Sequence, residues 1–476
     1  MKKIHLIALF TFTFTFLSFL CEAQLTDLHL FGSSISTGWG PDGSVILSGN
    51  KLYGMTSSGG AKDSGVIFSI DTSGSNYKDI WDFTGKTGWY GAGDLVLYEG
   101  RLYGMVPGGA NGDGCIFSLD TNGSGYKVLF NFNGTSGSGE ALSLTPANGK
   151  LYGMTTGGGL YGDGVIFSLD TNGNNYKDMF DFNSANGMTP LGSLTLSGKK
   201  LFGMTKYGGI GAGVIFSIDT DGSFYKTLFK FNSTNAANPY GSLTQANGKL
   251  YGMAPFGGTF SRGCIFSLDS NGSNFKTLWT FDSGSMGENG YGDLILSGSI
   301  LYGATYNGGL NSSCHSCPIS AGNIFSIDTN GSSYTDLYDF PVLGGNGENP
   351  FMGPLAFSGT VLYGMTCRGG PLNAGVIFGY GIDNITTSIN KLSQGSIKVY
   401  PNPSNGQFTI QSSVVSGQSA VEIYNVLGEK VYSFSYPLNT NHYSLDLCSK
   451  PAGVYFYRVL NNDGSVMGEG KLVIQK

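Results

Sequence analysis

Residues 51–71 read KLYGMTSSGGAKDSGVIFSID, and nearly the same phrase returns six more times along the chain. It recurs as RLYGMVPGGANGDGCIFSLD, KLYGMTTGGGLYGDGVIFSLD, KLFGMTKYGGIGAGVIFSID and KLYGMAPFGGTFSRGCIFSLD, then as a stretched copy from Ile300 and as VLYGMTCRGGPLNAGVIFGY. The leading leucines are Leu52, Leu102, Leu151, Leu201, Leu250, Leu301 and Leu362, separated by 50, 49, 50, 49, 51 and 61 positions. A period of this length marks a repeat architecture.

Each period holds four short apolar runs parted by turn residues, shown in the second copy by DLVLYEG, RLYGMVP, GCIFSLD and YKVLFNF. VIFS and LYGM are apolar on both faces, as strands are when both sides of their sheet are covered. Four strands per period of about fifty predict the blades of a β-propeller. The glycine after the aromatic, as in Tyr53-Gly54, is expected to let a neighbouring blade approach closely.

The ends of the array decide whether it closes. The fourth-strand phrase occurs six times for seven repeats (YKDIWDF, YKVLFNF, YKDMFDF, YKTLFKF, FKTLWTF and YTDLYDF). The missing copy is LTDLHLF at 25–31, which matches YTDLYDF position by position. An open array would need capping repeats instead. The expectation is an all-β chain in which 24–383 form a seven-bladed propeller closed by the N-terminal strand 25–31.

Composition agrees with strands and tight turns. Glycine numbers 78 where average usage gives roughly 33, charged residues are 12% and aromatics 13%. A net charge of −6 without basic clusters offers no electrostatic footprint for nucleic acid. Lys2 and Lys3, an apolar run to Leu20 and small residues after it read residues 1–23 as a secretory signal peptide cut after Ala23. No other run is long and apolar enough to span a bilayer.

The phrase LYGMT-x-x-GG followed by G-[VC]-IFS-[IL]-D-x-x-G resembles the GloVer-type tandem repeats of secreted bacterial proteins, over about residues 25–383. That resemblance implies the repeat unit and carries no activity with it. Beyond a patternless linker at 384–396, residues 397–476 contain IKVYPNPSNGQFTI, VEIYNVLGEKV, GVYFYRV and the terminal KLVIQK. Short alternating strands with turn chemistry between them indicate a small Ig-like β-sandwich. Tyr400-Pro401-Asn402-Pro403, Gly406, IYNVLGEKV, GVYFYRV and the lysine-ending last strand resemble the type A C-terminal sorting domain of the type IX secretion system. The resemblance implies a partner, the type IX machinery acting through 397–476. It also implies a protein secreted by, or attached to the outer surface of, a Gram-negative bacterium.

Alternation of strands puts the loops after strands one and three on one face, where they are short and stereotyped, and the variable loops on the other. The variable face carries Trp39, Trp89, Tyr90, Tyr161, Tyr207, Tyr240, Phe256, Tyr291, Tyr306 and Phe351, flat groups suited to stacking on a sugar or peptide. The alternative use of these rings is to pack the loops. The D-x-x-G turns at Asp71, Asp120, Asp170, Asp219, Asp269 and Asp328 lack the spaced oxygen ligands of a calcium loop and read as Asp-initiated turns. No metal or cofactor is called for.

Three histidines in the mature chain (His29, His315, His442) give no credible Ser/His/Asp set. Glu140, Glu288 and Glu348 break the repeat on the variable face and are the catalytic candidates for a two-carboxylate glycosidase, with solvated loop residues as the competing reading. Cys314-x-x-Cys317, in an insert of the sixth repeat, fits a redox pair, half a zinc site or a structural disulfide, within the pair or to Cys367. The functional expectation is a binding or adhesion module for glycans or a protein partner. The alternatives are a polysaccharide-degrading enzyme and a structural surface or matrix protein.

Overall fold

A computed structural model describes residues 25–32, 37–139, 143–282, 286–309, 321–341, 347–350, 353–382, 398–411, 418–425, 430–437, 442–461 and 466–476. Two compact units emerge, residues 1–384 and 385–476. Within them the described residues are all strand and loop, with no helix long and apolar enough to cross a membrane.

The first unit is a seven-bladed propeller. Blades 1 to 6 are four-stranded antiparallel sheets in chain order, blade 1 comprising Ile46–Ser48, Lys51–Met55, Val66–Asp71 and Lys78–Asp82. Blade 7 takes Ala356–Phe357, Val361–Thr366 and Val376–Gly381 from the end of the array, and Leu25–Leu30 from its beginning as the outer strand. Register confirms the equivalence read from the sequence. Asp27 and His29 pair with Phe378 and Ile377 as Asp336 and Tyr338 pair with Phe325 and Ile324, with an irregularity at the same step.

Strands apolar on both faces are used on both faces. In blade 1, Leu52, Phe68 and Ile70 pack with Phe31, Tyr363 and Ile377 of blade 7, while Tyr53, Met55 and Ile67 pack with Leu102, Phe117 and Leu119 of blade 2. Aromatic stacking repeats at each seam. Tyr126 lies flat on Trp81 at 4.1 Å, Tyr176 on Phe130 at 4.1 Å and Tyr225 on Phe180 at 3.8 Å. At the closing seam His29 takes the place of the Trp or Phe, stacked on Tyr77 at 3.8 Å. Burial pushes its imidazole down to about 4, so at neutral pH it enters this stack uncharged.

The glycine of LYG has a different reason from the one expected. A Cβ on Gly54 would lie 2.5 Å from Cζ of Phe68, the residue opposite it in its own blade, and Gly153 and Gly203 face Phe167 and Phe216 in the same way. The bare backbone lets the phenyl ring of the third strand lie across the second. Close approach between blades occurs instead beside the first strand. There a Cβ on Gly43, Gly192 or Gly241 would come within 2.4 Å of the carbonyl oxygen of Gly93, Gly241 or Gly292 in the next blade.

The second unit is a sandwich of a three-stranded sheet (Lys398–Tyr400, Gln407–Gln411, His442–Asp446) and a four-stranded sheet in the order Lys430–Pro437, Gln418–Tyr424, Gly453–Asn461, Val466–Ile474. Phe408, Ile410, Val421, Ile423, Leu445 and Leu472 are among its buried core residues. The PNP stretch is tied to the last strand: Asn402 Nδ2 donates to Lys471 O (2.6 Å), and Val473 N donates to Asn402 Oδ1 (2.9 Å).

Candidate functional site at the propeller axis

Every blade is entered on the variable face by a loop of nearly constant backbone. An equivalent residue in each loop has positive φ: Gly40, Tyr90, Gly139, Thr189, Asn238, Asn289 and Asn349. Where it is Asn, its Nδ2 clamps the carbonyl of the residue after LYGMT in the preceding blade, as Asn238 does Lys206 O (3.0 Å), Asn289 Pro255 O (2.8 Å) and Asn349 Tyr306 O (2.8 Å). Gly and Asn suit the left-handed region, whereas Tyr and especially β-branched Thr are strained there. Both exceptions, Tyr90 (φ 52°) and Thr189 (φ 54°), line one cavity of about 370 Å3 near the ring axis. Strained backbone of this kind concentrates at functional sites.

Two residues beyond the left-handed position, Asp42, Ala92, Leu191 and Tyr240 line the cavity. Two further on comes a ring of small polar groups, Ser44, Asp94, Ser143, Ser193, Ser242 and Asp293, linked from blade to blade. Ser44 N donates to Asp94 Oδ1 (2.7 Å), Ser143 Oγ to Asp94 Oδ2 (2.6 Å), Ser193 N to Ser242 Oγ (2.8 Å) and Ser242 N to Asp293 Oδ1 (2.5 Å). Gly43, Gly192 and Gly241, which precede Ser44, Ser193 and Ser242, permit this approach, because a Cβ there would collide with the next blade.

Three carboxylates therefore line the cavity. Each is enclosed by protein but keeps some surface toward the cavity. Desolvation raises all three. It carries Asp293 to about 7, with the charge of Asp94 adding to the effect, while hydrogen bonds from Ser143 and Ser44 oppose the rise of Asp94 and those from Ser57 and Tyr90 that of Asp42. Lys206 is also in the lining, with its Nζ 4.5 Å from the ring centre of Tyr240 and 4.9 Å from that of Tyr207. Tyr240 meets Tyr291 edge to face at 4.9 Å, and Tyr291 meets Phe256 (6.2 Å) and Tyr306 (5.6 Å).

The aromatic residues singled out from the sequence thus fall into groups. Tyr90 and Tyr240 line the cavity, and Tyr291, Tyr306, Phe256 and Tyr207 back them. Trp39 and Trp89 are 43% and 54% exposed immediately before the left-handed position. Tyr161 stands on an outer loop tip, and Phe351 lies outside the described residues.

Glu288 and Glu348 occupy the same loop position as the two tryptophans, and neither lines the cavity. Glu288 is paired with Arg262. Glu140, Cys314, Cys317 and His315 lie outside the described residues. Cys367 carries a thiol that donates to Asn349 O (3.2 Å), and burial pushes it up to about 12.

Five of the six D-x-x-G aspartates on the opposite face are engaged by the strand-two cation, as in Lys51–Asp71 (2.8 Å) and Lys150–Asp170 (2.9 Å), while Asp328 is opposite Ile300. Among the described residues no three of His, Cys, Asp and Glu converge as metal ligands.

Sequence reading missed Asp42, Asp94, Asp293, Lys206 and Thr189. A signal was present: the Gly-Ser-Leu before the first strand becomes Gly-Asp-Leu in blades 2 and 6.

No curated protein matches the chain. Among solved structures it is similar to TolB from Acinetobacter baumannii, at 14% identity and TM-score 0.37 over 59% of this chain and 61% of that one. It is also similar to the extracellular domain of a one-component system from B. thetaiotaomicron, at 13% identity and TM-score 0.47 over 95% and 59%. A third is the β-propeller domain of a Trilobed protease from Pyrococcus furiosus, at 12% identity and TM-score 0.38 over 62% and 83%. The chain thus spans about 60% of the length of the first two. The Gloeobacter/Verrucomicrobia repeat matches residues 14–145 and 106–317, and the secretion system C-terminal sorting domain matches 398–475. The chain belongs to the Gloeobacter/Verrucomicrobia repeat family and ends in a type IX sorting domain, which makes it a protein secreted or attached to the outer bacterial surface.

Proposed function

We propose that the propeller is an extracellular binding module that captures a glycan or a surface protein through its variable face, with part of the ligand seated in the axial cavity. Residues 1–23 would serve as its leader and 397–476 as its guide through the type IX machinery.

One observation carries the reading. A backbone repeated seven times holds different side chains at equivalent loop positions, and where they converge they build a concave site with aromatic walls and a polar floor. Ligand pockets combine these properties. Of the glutamate candidates, the described Glu288 and Glu348 lie outside the cavity and Glu288 is already paired with Arg262, which favours binding over polysaccharide cleavage by these glutamates.

The test is binding of the purified full-length chain to arrays of glycans and of bacterial and host surface proteins. Saturable binding that Tyr240→Ala weakens at least tenfold supports the reading. Binding that Tyr240→Ala leaves intact would place recognition elsewhere, and cleavage of a bound polysaccharide would turn the assignment toward an enzyme.

A further inference from the structure

We infer that a groove between blades 4 and 5, on the face of short loops, is a second binding site. It takes a large apolar side chain from an acidic peptide segment of a partner protein. The groove, of about 670 Å3, is lined by Phe202, Phe224 and Leu228 together with Lys200, Lys226 and Ser270. It lies on the opposite face from the axial cavity and does not depend on the reading of that cavity.

Phe224 is a departure from the repeat. In blades 1, 3 and 5 the turn after the third strand holds Asn76, Asn175 and Asn274 at its left-handed position. Each folds its Nδ2 back onto the aspartate that opens the turn, at 2.6, 2.7 and 2.6 Å. Blade 4 puts Phe224 there, at φ 55° and 77% exposed. The exchange strains the backbone, loses the clamp and lays a phenyl ring in water, and no burial compensates. Strain and an exposed apolar side chain at one residue mark a contact surface.

Phe202 is a second departure, and it lines the same groove. Its position in LYG is tyrosine in the other six blades. In blade 2 the hydroxyl of Tyr103 is hydrogen-bonded across the seam to Thr171 of blade 3. The residue in the place of Thr171 beside Phe202 is Ser270 of blade 5, and Phe202 has no hydroxyl with which to reach it. The seam therefore lacks that bridge where the groove opens.

Charge and lining select the occupant. Lys226 donates to the neutral carbonyl of Asn271 (3.2 Å), and Lys199 stands exposed beside Lys200. The nearby acids are Asp219, paired with Lys200, and Asp221, whose carboxylate accepts from Ser223. The rim is thus cationic on a chain of net charge −6. A second copy docking by this patch would bring the same lysines together, whereas acidic flanks complement them. Among neutral polar groups, Asn271 Oδ1 already accepts from Ser273, and the hydroxyl of Tyr225 donates to Asn186 O (2.7 Å). Too little polar surface is left for the hydroxyls of a sugar, and the phenyl walls suit an apolar side chain.

The experiment is fluorescence anisotropy of three labelled peptides, EDEWEDE, EDEAEDE and QNQWQNQ, titrated with the full-length chain. The expected result is saturable binding of EDEWEDE, about tenfold tighter than either of the others. Phe224→Asn and Phe202→Tyr restore the residues used in other blades, and each should weaken EDEWEDE about tenfold. Phe224→Asn should at the same time raise the thermal midpoint, which a loosened fold would not do. Lys226→Gln should weaken EDEWEDE and leave QNQWQNQ unmoved, and Tyr240→Ala should change neither.

Equal binding of QNQWQNQ would overturn the acidic partner. Binding of polygalacturonate in place of the peptides, lost in Phe224→Asn, would make the occupant an anionic polysaccharide. A concentration-dependent dimer abolished by Phe224→Asn would make it a second copy. A Phe224→Asn chain that melts below wild type would show that the phenyl ring serves the fold, and the site would fall with it. No saturation by EDEWEDE at millimolar concentration overturns the inference.

Discussion

The two faces of the propeller share one backbone and differ in what selection of side chains has done with it. On the short-loop face the same solution appears five times: a lysine or arginine opening the second strand meets the aspartate that closes the third, in Lys51–Asp71, Arg101–Asp120, Lys150–Asp170, Lys200–Asp219 and Lys249–Asp269. The variable face repeats equally well in its main chain, yet the seven positions before the left-handed residue hold Trp39, Trp89, Ser138, Met188, Ala237, Glu288 and Glu348. Uniform chemistry marks a job every blade must do for itself. Divergent chemistry on a uniform frame marks positions freed from that job, and the cavity is built from them.

The largest effect that would sharpen this contrast belongs to neither face but to the seam that closes the ring. Phe31 is 1% exposed and packs edge to face on Phe68 at 5.6 Å. Phe31→Ala should cost about 3–5 kcal/mol, seen as a lowered thermal midpoint. A loss no greater than that of an exposed loop substitution would mean the strand at 25–30 does not hold the ring shut.

Asp293→Asn probes the variable face and should act in the opposite sense. The native state holds this proton up to about pH 7, whereas the unfolded chain releases it near the ordinary carboxylate value of 3.8. Between those values the native state binds more protons than the unfolded one, so wild-type stability contributed by this group falls as pH rises toward 7 and stays reduced above it. The asparagine variant should melt higher than wild type at pH 8 and lose that advantage at pH 4. An unchanged difference between the two pH values would break the claim that the carboxylate is held at a cost to stability.

The smallest expected effects compare the faces directly. Thr189→Asn restores at a strained φ of 54° the residue used in blades 5 to 7, and should stabilise by about 1 kcal/mol while altering ligand affinity. On the other face Lys150→Met removes a solvent-screened pair and should shift the thermal midpoint little and ligand affinity not at all. If Lys150→Met changed binding as much as Thr189→Asn, the division of labour between the faces would be wrong.

Much of this was legible in the sequence. The period, the four apolar runs and the spare LTDLHLF together specified seven blades and their closure, because a strand covered on both faces leaves a run of apolar residues that no solvent-facing element would keep. The tail was legible through the PNP turn and its companion strands. The glycine of LYG was assigned to the wrong neighbour. Spacing along the chain says that a Cβ is intolerable without saying which ring lies over it, and only the register of Gly54 against Phe68 does so.

The site was the least legible part. Asp42, Asp94, Lys206 and Asp293 are single departures from a repeat, each 52 to 112 positions from the next and part of no obvious motif. In a linear reading each is a polar residue in a loop. Closing seven sheets about one axis brings the same edge of every blade to a common centre, so that residues about a hundred or two hundred positions apart share a cavity and shift one another's charge. The sequence by itself determined the repeat, the ring it closes and the export address, since each is written in local pattern. Which side chains face one another across the axis was decided by tertiary structure alone, because that proximity exists only once the last seam is made.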